Sequence, residues 1–157
     1  MRTLLLFCIA LAFTASFVAA DDDYYVELLK MDVKAEKMEL INEAMNLSDA
    51  QAKKFWPVYK KYQKEMDKIN DQDLQLLKKY ADNYDDMSDD VAKGLVHKAI
   101  ELDIARSYLR KKYFREFAYA TDGITAAKFF QIENRLGLLI ELQIASVLPI
   151  LEEPYLR

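Results

Sequence analysis

The groups able to do acid–base or metal chemistry are unevenly supplied in this chain. Aspartate and glutamate together number 26, but there is one histidine, His97, and one cysteine, Cys8. One His and one distant Cys cannot make a transition-metal site, which needs three or four nitrogen or sulfur ligands. No Glu-x-x-His pair marks a di-iron bundle. No glycine-rich phosphate loop, nucleophile elbow or His-Glu-x-x-His pattern occurs. Asp82, Asp85, Asp86, Asp89 and Asp90 crowd one short segment, but they lack the glycine and terminal glutamate of a calcium loop. The expectation is a protein that is not an enzyme, with no cofactor and no metal site. What remains to do chemistry is non-covalent: lysines, aromatic rings and the hydroxyl groups that start helices.

The clearest of those starts is Leu47-Ser48-Asp49-Ala50-Gln51. Ser48 can accept from the backbone N–H of Gln51, while the Gln51 side chain reaches back to the Ser48 N–H, a reciprocal capping box. A partial echo, Ile124-Thr125-Ala126-Ala127-Lys128, opens the last apolar stretch and predicts Thr125 as its cap.

Between these starts the hydrophobic period is three to four, with no strand alternation, so the fold class is all-α with four helices. The first is expected over 24–45, with an apolar stripe at Leu28, Met31, Ala35, Met38, Ile41 and Met45. The second runs from Ser48 to about Tyr84 on Phe55, Tyr59, Tyr62, Met66, Ile69, Leu76, Leu77, Tyr80 and Tyr84. The third spans 89–119 behind a Ser88 cap, on Val91, Leu95, Ala99, Leu102, Leu109, Tyr113 and Phe117. The fourth follows Thr125 and ends near Leu148, before Pro149. Pro57 interrupts the second helix by removing an N–H and crowding the Lys53 carbonyl. The continuing period favours a kink there over a short turn followed by a new helix.

Residues 1–20 read as a leader outside this fold. Arg2 supplies a positive start, Leu4 to Val18 an apolar core too short for a good membrane span, and Val18-Ala19-Ala20 a cleavage site. Cleavage after Ala20 leaves 21–157 as a single domain without cysteine, held by its core alone. Such a chain suits a periplasm, with no membrane insertion after cleavage. Its acidic balance, −4 over the whole chain, argues against nucleic acid as a partner.

Charge is segregated along the helices. Lys53, Lys54, Lys60, Lys61, Lys64 and Lys68 face only Glu65 and Asp67 within 52–68. Arg106, Arg110, Lys111, Lys112 and Arg115 face only Glu116 within 106–116. Aromatic residues accompany both basic zones. Trp56 beside Tyr59, and Phe114 beside Tyr113, widen the apolar stripes beyond what a thin bundle can cover, which leaves area for a second copy or another partner.

Taken together, the leader, the cysteine-free body, the four-helix pattern and the two motif positions resemble the Spy/CpxP, or LTxxQ-motif, family of periplasmic helical stress proteins. Leu47, Ser48 and Gln51 meet the first motif, with Ser for Thr. Ile124 and Thr125 meet the second in part, with Lys128 where the family has Gln. The resemblance implies a thin, curved, antiparallel homodimer of helical hairpins. It also implies an ATP-independent chaperone that holds unfolded or partly folded proteins, or an adaptor that binds the periplasmic domain of an envelope-stress sensor kinase. A structural helical module without clients is the third reading. For client capture the expected residues are Trp56, Tyr59, Lys60, Lys111, Tyr113 and Phe114, with basic groups steering acidic clients and rings holding them.

Overall fold

The computed structural model describes residues 36–151. The expected leader at 1–20 and the expected start of the first helix at 24–35 lie outside them. Among the described residues the chain is all-α, with four helices and no strand: α1 (36–45), α2 (Asp49–Asn83), α3 (Asp89–Ala120) and α4 (Gly123–Val147). A single 3-10 turn, Tyr84–Asp86, joins α2 to α3.

α2, α3 and α4 each start where a short polar side chain can satisfy the free backbone N–H groups of the first turn. Ser48 and Gln51 make both bonds of the capping box at the start of α2. Ser88 accepts from the Val91 N–H at the start of α3, 3.3 Å away. The cap of α4 corrects the sequence-based expectation. It is Asp122, whose Oδ1 accepts from the Thr125 N–H at 2.8 Å, so Thr125 lies three residues inside the helix. Asp122 outcompetes Thr125 because a carboxylate is the stronger acceptor and its charge suits a helix N-terminus.

α2 runs unbroken through Pro57, so the alternative of a short turn and a separate helix does not occur. Pro57 and Lys53 are both exposed; water can therefore serve the carbonyl that the proline leaves unbonded. α1 ends differently, with Asn46 in the left-handed region at φ 47°. Asparagine tolerates that conformation better than most residues, which makes it a natural helix stop.

The register follows from side-chain pairs. Tyr62 meets Tyr113, Glu65 meets Lys112, and Asp73 meets Arg106, so α2 and α3 are antiparallel. Phe117 meets Phe129 and Arg110 meets Asn134, so α4 returns antiparallel to α3 and parallel to α2. Lys37 meets Glu133 and the Met45 carbonyl meets Lys128, which sets α1 antiparallel to α4. At the far end the hydroxyls of Tyr80 and Tyr84 donate to the carbonyls of Pro149 and Ile150, at 2.6 and 3.0 Å.

The core is aromatic at one end and aliphatic at the other. Phe55, Tyr62, Phe117 and Phe129 are buried, with Phe129 in ring contact with Phe55, Tyr59, Tyr62, Phe117 and Phe130. Centroid separations of 4.5 to 5.9 Å lie in the range where edge-to-face and offset pairs attract. Ile41 and Met45 bring α1 into the same cluster. Met38, expected on the buried stripe, is exposed. Toward the Tyr84 end the expected core positions Leu76, Leu77, Tyr80 and Tyr84 are only half-buried.

Candidate functional site

The two motif segments come together in space. α2 and α4 run parallel, and the third residue of each, Gln51 and Thr125, stand side by side. Gln51 Nε2 donates to Thr125 Oγ1 at 3.2 Å, and Thr125 Oγ1 donates onward to Asp122 Oδ2 at 2.7 Å. On the other side, the Ser48 N–H and hydroxyl both donate to Gln51 Oε1, at 3.1 and 3.0 Å. A single chain of hydrogen bonds thus links the caps of two helices and ends on a carboxylate. The Thr125 backbone N–H, then its hydroxyl, hold Asp122 below the ordinary carboxylate range, with a smaller contribution from Gln51. Leu47 packs against the core, whereas Ile124 is exposed. The second segment is therefore not a structural copy of the first.

Lys128 extends the junction. Its ammonium donates to the Met45 carbonyl at 2.8 Å. A cation at a helix C-terminus satisfies an orphan acceptor and complements the helix dipole. Lys128 thereby fastens the end of α1.

Two carboxylates, one buried and one half-exposed, bridge the helices. Glu133 is 8 % exposed, and its Oε1 accepts from Lys37 Nζ at 2.9 Å and from the Tyr62 hydroxyl at 3.2 Å. Burial, and then the nearby Glu133 charge, raise the Tyr62 hydroxyl far above the usual tyrosine range. Glu65 accepts from Lys112 at 2.9 Å and from the Tyr113 hydroxyl at 2.7 Å. Those bonds, Lys112 first, hold Glu65 below the ordinary range. Both arrangements keep the tyrosine hydroxyls neutral, because burial and a neighbouring carboxylate raise Tyr62 and Tyr113. They bridge helices, Glu133 joining α4 to α1 and α2, and Glu65 joining α2 to α3. Among the described residues no group of three or more His, Cys, Asp or Glu side chains is placed to hold a metal ion.

The residues expected to capture clients separate into two sets. Tyr59 is 3 % exposed and Tyr113 is 2 % exposed. Tyr59 stacks on Phe55 and Tyr113 packs on Tyr62. Both therefore belong to the core, because their helical spacing matches the buried stripe. Trp56 is half-buried, its ring edge-on to Phe55 and Tyr59. Lys60 is exposed one turn beyond it on α2. Lys111 and Phe114 are exposed one turn apart on α3, with the Phe114 ring 6.0 Å from Phe130.

The surface that the sequence reading missed lies on α3. Val96, Ile100, Ile104 and Tyr108 recur every four residues and are each more than half exposed. Beside them an open groove of about 330 Å³ is lined by Ile100, Asp103, Ile104, Ser107, Tyr108 and Lys111. The signal was present as a second apolar row, one position on from the buried Leu95. Leu138, Leu139 and Leu142 add exposed apolar area on the second half of α4. No described helix is long and apolar enough to cross a membrane. Comparison of the chain with protein-family models, curated proteins and solved structures gives no match in any of the three.

Proposed function

We propose that the protein is a periplasmic, ATP-independent holdase that binds partly unfolded envelope proteins during stress. The observation that carries this reading is the apolar row Val96, Ile100, Ile104 and Tyr108 on a helix whose opposite side is already packed into the core. Exposed apolar patches of this kind mark interaction surfaces. An open row with one lysine at its edge favours loose, dispersed contacts over a fitted small-molecule pocket. Capture residues shift accordingly: Lys111 and Phe114 stay, Trp56 and Lys60 flank α2, and the α3 row takes the place of Tyr59 and Tyr113. The resemblance at Leu47, Ser48, Gln51, Ile124 and Thr125 supports the same reading, and a homodimer would cover part of the exposed area.

The runner-up is an adaptor that binds one folded sensor domain. It draws on the groove between Asp103 and Lys111, where opposite charges at a confined site could give partner specificity. Light scattering by three unrelated proteins, unfolded without ATP in the presence of excess protein, separates the two. A holdase suppresses aggregation of all three; an adaptor suppresses none.

A further inference from the structure

The basic zone of α2 forms a single face. At about 100° per residue, Lys53, Lys54, Lys60, Lys61, Lys64 and Lys68 fall within roughly 120° of arc, opposite the buried Phe55, Tyr62 and Met66. The row extends about 22 Å along the helix. All six lysines are exposed, and among the described residues none of their ammonium groups is ion-paired or hydrogen-bonded. The carboxylates at its margins are occupied elsewhere: Glu65 by Lys112 and Tyr113, and Asp67 by the Gln63 amide among its contacts. Two of the three arginines of α3 are engaged differently, Arg106 by Asp73 and Asp103, Arg110 by Asn134 and the Phe130 ring.

Two features decide what this face fits. α2 contains no arginine, so the face has no planar fork for bidentate recognition of a particular carboxylate or phosphate. It also carries none of the exposed large apolar side chains among the described residues, which lie on the other helices and the C-terminal segment. Protein partners draw most of their affinity from buried aromatic, apolar and arginine anchors, and this face offers none. A row of point charges along one continuous helix instead matches an extended, dense array of anions. That array is the headgroup layer of an anionic bilayer. The chain's net negative charge does not cancel the attraction. Asp71, one turn past Lys68 on the same arc, offsets that end of the row, but the acidic run from Asp82 onward lies about 21 Å along the axis from Lys68, beyond the screening length of about 8 Å at physiological salt.

We infer that the lysine face of α2 is a peripheral docking surface for an anionic lipid bilayer, independent of the capture row on α3. Flotation of the full chain with vesicles tests it. Vesicles of 40 % phosphatidylglycerol in phosphatidylcholine are compared with pure phosphatidylcholine, which reads any binding contributed elsewhere in the chain. The anionic vesicles should bind at least about tenfold more tightly in 0.15 M salt, and the difference should vanish in 0.5 M salt. Substituting Lys53, Lys60, Lys61 and Lys64 by Gln should reduce binding to the phosphatidylcholine level. Substituting Lys79, Lys93, Lys98 and Arg115 by Gln, with the same change in net charge, should leave it. Equal binding to both vesicle types overturns the proposal, and so does equal loss in the two variants. Tighter binding to polyglutamate than to anionic vesicles at matched charge would assign the face to an acidic polypeptide and equally overturn it.

Discussion

Gln51 Nε2 stands 3.2 Å from Thr125 Oγ1, joining the third residue of α2 to the third residue of α4 across 74 positions of sequence. One glutamine side chain therefore closes its own helix start through Oε1 and fixes the neighbouring helix through Nε2. Such a bond contributes only about 1 kcal/mol net, but removing one partner leaves the other exposed to the larger cost of an unmet group. The expected outcome is coupling: Gln51→Ala and Thr125→Val together should destabilise by about 0.5–1.5 kcal/mol less than the sum of the single changes. Urea unfolding of the four proteins of the cycle measures it; strict additivity would mean that the two residues act separately.

Ser48→Ala removes the cap without touching the α3 row. Stability should fall by about 0.5–2 kcal/mol. Aggregation suppression well below the melting temperature should stay unchanged, and a large loss of activity at intact stability would place Ser48 on a binding surface.

The acid limb of the stability curve should report Asp122. Its folded pKa is lowered, so its contribution is present above the unfolded value of about 3.9 and is lost as pH falls through the lower folded value. Asp122→Asn should therefore be less stable than wild type at neutral pH, with the gap closing under acid. Asp73 runs the other way. Burial raises its pKa despite Arg106, so ionisation at neutral pH weakens the fold and protonation relieves that cost. Asp73→Asn should gain on the wild type as pH rises from 3 to 6. Urea midpoints across that interval check both signs.

Glu133 is a buried charge held by Lys37, whose side chain is itself 16 % exposed. Lys37→Met leaves that charge uncompensated and should destabilise by about 3–5 kcal/mol. Adding Glu133→Gln removes the charge while keeping an acceptor for Tyr62, so the double variant should be more stable than Lys37→Met alone. The order of the thermal midpoints decides.

Much of this was legible in the residues. Phe55, Tyr59, Tyr62, Met66 and Ile69 follow the helical period and are all buried; Ser48, Gln51 and Ser88 were legible as caps because each has a capping bond to a backbone group only three residues away. What escaped depends on contacts far apart in sequence. The same period that places Tyr59 and Tyr113 on a stripe cannot tell whether another helix covers it; α4 covers Tyr59 through Phe129, and α2 covers Tyr113 through Tyr62. Asp122 was hidden inside an apparent loop, because a hydroxyl at Thr125 looked like a sufficient cap. The partners of Lys128 and Glu133 lie in α1 and α2, 83 to 96 and 71 residues away. The α3 row was visible at four-residue spacing, but the buried row beside it had already accounted for the helix.

The central claim is that this α3 row captures unfolded chains. Ile100, Ile104 and Tyr108 are exposed, so replacing all three by Ser should leave the melting temperature nearly unchanged, since surface substitutions shift stability by about 0.5 kcal/mol or less. The direct measurement is light scattering by three unrelated unfolding clients, without ATP, against wild type and this triple variant at matched concentration. The account predicts suppression of all three clients by the wild type and its loss in the variant. Equal suppression by both proteins, or none by the wild type, would contradict it.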